Sequence, residues 1–258
     1  MGFIFEPFAE NRCCLCGSTD DLTGEHKVKA AALRSIFRGE AMAIGNLEGP
    51  QTLRIAQGPK SREFHFKAPL CGVCNSTKTQ PADKEFDHFH AEAAGLLIAG
   101  QEPIAAFELD RYAVGSKPYL NLFRYFAKLM CCHLAESGGP RPLEISRFAI
   151  GESDRNTISL QIDLDPTYSD LEAAMGEHQY AAHGGLIVIT DEKTQQVSGF
   201  LTSLTIGPVR YIASIHFGAL VALAIKLFHR PFAGKCRAAY LSALDAPLSP
   251  DQRRKFGV

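Results

Sequence analysis

At 258 residues, with 46% hydrophobic and 21% charged side chains, the chain is long enough for one large folded unit or two modest ones, and wholesale disorder is excluded. A formal net charge of −1 removes any global nucleic-acid signature. The longest apolar run, Phe217–Phe228, contains Lys226 and is too short to span a bilayer. The opening MGFIFEPFAENR has neither a basic segment nor a small-residue cleavage site, and Glu6 stands where myristoylation requires Ser or Thr, so a cytoplasmic protein is expected.

In chain order, RCCLCGSTDDLTGEH reads as a metal-binding turn followed by a short strand ending at His26. AAALRSIFRG reads as a short helix stopped by glycine, and TLRIAQG and EFHFKAPL as strands, the second alternating Phe64 and Phe66 with His65 and Lys67. One helix should start just after Cys71. Another is expected with Pro81 in its first turn and Phe86, Phe89, Ala93, Leu96 and Leu97 as its apolar stripe. The chain reads as a first unit, 1–100, and a second, 101–258. The second opens with a helix capped by Ser116, with Pro118 near its first turn, running to Gly138-Gly139. Four strand candidates follow, TISLQIDL, GGLIVIT, VSGFLTSLTI and VRYIASIHFG, with turns at Asp191–Thr194 and Gly207-Pro208. ALVALAIKLF fits strand or helix, and the tail DAPLSPDQRRKFGV reads as exposed. The fold class expected is α+β with an antiparallel sheet in the second unit.

The eight cysteines are clustered, and in a chain without a signal they point to metal or burial rather than to disulfides. Cys13-x-x-Cys16 and Cys71-x-x-Cys74 make two halves of a tetrahedral four-thiolate zinc site. The 54 residues between the halves leave room for further structure. Cys14 reads as a small thiol outside the site, and Cys131-Cys132 as core thiols on an apolar helix. Such a closed zinc has no open position and does no chemistry itself. If it ties the two turns together, Glu25-His26 and Asn75 are drawn close. A carboxylate and an amide oxygen suit magnesium or another hard divalent cation, and a neutral imidazole beside it can take a proton from water. Lys78, one turn beyond Asn75, is placed to hold a phosphate. From Lys27 to Lys67 eight basic residues face three acidic ones, so Lys27 and Lys67 join Lys78 as expected substrate contacts. His88 and His90 sit two apart on a helix and read as solvent or packing residues, and Asp83 lies near the site without an assigned role.

The combined pattern, CxxC, an acidic-His pair, then CxxC-N-x-x-K, resembles the HNH endonucleases, ββα-metal nucleases stapled by a four-cysteine zinc. The resemblance covers residues of about 10 to 90. It implies a ββα finger with His26 as general base and Glu25 and Asn75 as ligands of the catalytic cation. Cys13, Cys16, Cys71 and Cys74 then form the zinc shell, and DNA is the substrate. Where the family carries a middle Asn this chain has His65, with Asn46 from the insertion as the alternative. The second unit, unlike any named family, is expected to recognise DNA, form a homodimer or meet a partner protein, in restriction, phage defence or mobile-element biology. Two other readings compete: a catalytically inactive zinc-stapled module binding nucleic acid or protein, and, with less support, a redox CxxC protein.

Overall fold

The computed structural model describes residues 5–7, 10–38, 42–44, 54–56, 58–59, 61–176, 179–191 and 193–245. Asn46, Lys60 and the tail from residue 246 therefore lie outside the described residues. The elements of the first hundred residues are β1 (Phe5–Glu6), β2 (Leu22–His26), α1 (Ala30–Phe37), β3 (Met42–Ile44), β4 (Arg54–Ala56), β5 (His65–Cys71) and α2 (Gln80–Ile98). Then come α3 (Lys117–Glu136), β6 (Arg141–Pro142), α4 (Leu143–Ala149), β7 (Ser159–Leu164) and α5 (Pro166–Met175). The chain continues through β8 (Ala181–His183), β9 (Ile187–Thr190), β10 (Val197–Ile206), β11 (Val209–His216), α6 (Ala219–Phe228) and α7 (Arg230–Asp245). The class is α+β with antiparallel sheets: β7-β11-β10-β8, with β9 also on β10, and three two-stranded pairs, β1-β6, β2-β5 and β3-β4.

Helix α3 is the centre of the molecule. Its residues from Leu122 to Ala135 are buried apart from Arg124, so it is apolar nearly all round, as a helix packed on several sides must be. The Ser116 hydroxyl accepts from the Tyr119 N–H at its first turn and donates to the Arg111 carbonyl. Ser116→Ala should therefore lower stability by about 1 kcal/mol, read from a denaturant midpoint, without altering any other property.

Aromatic contacts cross the boundary expected near residue 100. Phe86 of α2 stacks on Tyr125 of α3 at 4.1 Å and meets Tyr211 of β11 edge-on at 5.3 Å. His90 shares a 2.8 Å hydrogen bond with the Tyr211 hydroxyl, so it is a core polar pair rather than a ligand. One apolar cluster runs from Leu15 through Phe86, Tyr125 and Phe200 to Phe232. Each such buried side chain contributes about 1.5–3 kcal/mol of transfer free energy.

The ambiguous segment ALVALAIKLF is helix α6. Alanine and leucine favour that state, and it buries Val221, Ala222 and Ile225 on one face. The helix expected just after Cys71 takes the form of a wide helical turn, Cys74–Lys78, and the one with Pro81 in its first turn follows as α2. At the end of the wide turn the Thr79 N–H reaches back five residues to the Cys74 carbonyl, and its hydroxyl bonds the same oxygen. Among the described residues no helix is long and apolar enough to cross a membrane.

Candidate metal centre and its surroundings

The first cysteine turn is closed by hydrogen bonds from the Gly17 N–H to the Cys13 carbonyl and from the Cys13 N–H to the Ser18 carbonyl, with Gly17 at φ +79°. The second turn begins where β5 ends. A Cβ at Gly72 would meet the end of the Asp21 side chain at 2.0 Å, and that side chain would have to move aside. Antiparallel pairing of β2 with β5 brings the two turns together, Leu22 opposite Cys71. The sulfurs of Cys13, Cys16, Cys71 and Cys74 all lie within 4.8 Å of one another, and Cys16 and Cys71 are 3.6 Å apart. Tetrahedral zinc with bonds of 2.3 Å separates its sulfurs by about 3.8 Å, so the four thiols fit a structural zinc. The Cys74 N–H points at the Cys71 sulfur at 3.4 Å. The Cys74 thiol holds Cys13 down to about 4 against the effect of burial, with backbone N–H groups helping, and the same contact pushes Cys74 up.

Cys14 does not join them. Its buried sulfur lies 3.7 Å from Cys132 of α3, and Cys131 and Cys132 are core thiols. The first cysteine turn is therefore seated directly on the central helix.

The β2–β5 pairing shifts register between Gly24 and His26, so Glu25 sits at an irregularity of the strand. The His26 ring packs on His65 of β5 with centroids 3.9 Å apart, and the two residues are paired across the strands. His65 is fixed in turn by a 3.1 Å hydrogen bond between Nδ1 and the Ser61 carbonyl. Burial first, then the neighbouring His65, lowers His26 to about 4, so its imidazole is neutral near pH 7. Its Nε2 is buried with no hydrogen-bond partner among the described residues. A backbone hydrogen bond with Pro59 works against that lowering.

Asn75 is tied to the strand just before this pair: Nδ2 donates to the Thr23 hydroxyl and the Gly24 carbonyl, each at 3.1 Å. Both amide protons are thus used, and Oδ1 is left to face another group. Glu25 is buried, and its Oε1 accepts from Lys128 at 2.8 Å. Lys128 also donates to Asp83 at 2.5 Å. Burial opposes its charge, but Glu25 and Asp83 outweigh it and hold the ammonium above the usual lysine range. Among the expected substrate lysines, Lys27 pairs with Glu136 at 3.0 Å and Lys78 with Glu152 at 2.8 Å, both acids from beyond residue 100. The Lys67 side chain is exposed.

Sequence reasoning passed over Lys128, and Asp83 was left without a role. The signal was present: a lysine at 128 shares the helical face of Tyr125 and Cys132, and a lysine in an apolar stripe needs buried partners. Comparison with protein-family models, curated proteins and solved structures gave no match.

Proposed function

We propose that the chain is a divalent-cation-dependent DNA endonuclease of the HNH type, with β2, β5 and the helix that follows Cys74 as its ββα finger. The observation that carries this reading is the neutral Nε2 of His26, buried without a partner among the described residues, on a strand bound through Asn75 to the cysteine cluster. A buried acceptor without a partner costs free energy, and an attacking water hydrogen-bonded there would remove that cost. His26 takes the water's proton at Nε2, and His65 fixes the ring in the place where the family carries asparagine. The second oxygen of Glu25 and Oδ1 of Asn75 are the donors left for a cation such as magnesium. That cation would supply charge stabilisation on the phosphodiester and its leaving oxygen. Lys78, with Lys27 and Lys67, binds the flanking phosphates. Cutting both strands would take a second copy or a second encounter.

The ion pair on Glu25 favours one other reading, a zinc-stapled module that binds nucleic acid without cutting it. A supercoiled-plasmid assay on zinc-loaded protein separates the two. Nicking with magnesium or manganese, lost on chelation, supports the nuclease, whereas salt-sensitive binding with intact plasmid under every cation removes it.

The partly exposed Lys78–Glu152 pair contributes at most about 1 kcal/mol. Glu152→Gln should leave the melting temperature nearly unchanged. It should tighten DNA binding at low salt and steepen log K against log salt by about one, as fluorescence anisotropy would measure, because Lys78 is released to a phosphate.

A further inference from the structure

Lys128 stands in the middle of α3 with its side chain 1% exposed, its ammonium 2.8 Å from Glu25 Oε1 and 2.5 Å from Asp83 Oδ1. The three groups come from α3, β2 and α2. Three apolar side chains of similar volume would join these elements at least as firmly, so stability does not explain the cluster. Its charge is also unbalanced, since one ammonium serves two carboxylates. Lys29 does not make up the difference: it donates to the Asp83 backbone carbonyl at 2.7 Å and pairs with Asp87 at 2.6 Å. The Tyr125 ring, 5.3 Å from the ammonium, adds no formal charge. One of the two carboxylates belongs to the residue beside His26.

We propose that Lys128 is a positioning residue of the candidate site, holding Glu25 by one oxygen, leaving the other to serve the cation, and preventing Glu25 and Asp83 from closing on a cation between them. The proposal rests on the nuclease reading, which makes Glu25 a donor to that cation. Its consequences have opposite signs. Removing the ammonium takes the cluster from a net charge of −1 to −2 and frees Oε1, so a divalent cation binds more tightly while Glu25 loses its aim and cleavage slows. Removing the Asp83 charge takes the net charge to zero, gives the whole ammonium to Glu25 and weakens the cation. Loss of packing alone would move both variants the same way.

The test is a manganese titration followed by electron paramagnetic resonance on the zinc-loaded full chain, with plasmid cleavage measured alongside. Lys128→Met should bind manganese about tenfold more tightly than wild type yet cleave more slowly, and Asp83→Asn should bind it about tenfold more weakly. Unshifted affinity in both variants, with wild type still cleaving, overturns the role of Lys128 and leaves the nuclease reading standing. If Lys128→Met fails to retain zinc, Asp83→Asn decides alone, and unchanged or tighter manganese binding in it overturns the proposal. A wild type that neither binds manganese nor cleaves overturns the nuclease reading and this inference with it.

Discussion

Replacing Cys71 with serine should cost the chain its zinc and much of its fold in one step. Cys71 ends β5, and its sulfur lies 3.6 Å from that of Cys16 and receives the Cys74 N–H. Serine presents no thiolate, and three remaining ligands leave the shell open. Structural zinc contributes about 10–16 kcal/mol of apparent binding free energy in small zinc domains, comparable to the whole net stability of a folded domain. The loss does not stay local. The Cys14 and Cys132 sulfurs are in contact, and the aromatic contacts of α2 continue into α3 and β11, so loosening the zinc turn uncovers the central helix. Cys71→Ser should therefore bind no tightly held zinc by metal analysis and melt at least about 10 °C lower, each kcal/mol being worth about 2–4 °C at this size. Wild type stripped by a chelator should behave alike, and both should lose structure in one transition rather than two. Full zinc content and an unchanged melting temperature would make the four cysteines ordinary core residues.

What the sequence made legible was whatever short spacing encodes. CxxC turns, the Ser116 cap, the apolar repeat of α3 and the alternation along β10 and β11 depend on neighbours within a turn or a strand, so local pattern suffices. The partners of Glu25 were not legible in that way. Lys128 lies 103 residues away, and nothing local to either residue specifies that α3 crosses behind β2. The same holds for Lys27 with Glu136 and Lys78 with Glu152: a lysine that reads as free for phosphate meets an acid that only the tertiary fold brings to it. The contacts across residue 100 are long-range in the same way: Phe86 meets Tyr125 and Tyr211, which no local pattern pairs with it.

His26→Ala should reduce plasmid cleavage by a factor of about 10² to 10⁴, the usual contribution of a general base, with zinc content intact. The two effects on stability oppose each other. The ring's packing on His65 is lost, but so is a buried Nε2 without a partner, a burden of about 1–3 kcal/mol. The melting temperature near pH 7.5 should therefore hardly move. Acid gives a second reading of the same residue. With His26 lowered to about 4 in the fold and near 6.5 when unfolded, the unfolded chain binds more protons between those values. The neutral ring's contribution is then complete above pH 6.5 and disappears as pH falls towards 4. The stability gap between wild type and His26→Ala should thus shift against wild type over that window, as urea unfolding at pH 7.5, 6 and 5 would measure. If the variant cleaved like wild type but melted far lower, the imidazole would be a packing residue, and the proton would have to be taken by some other group.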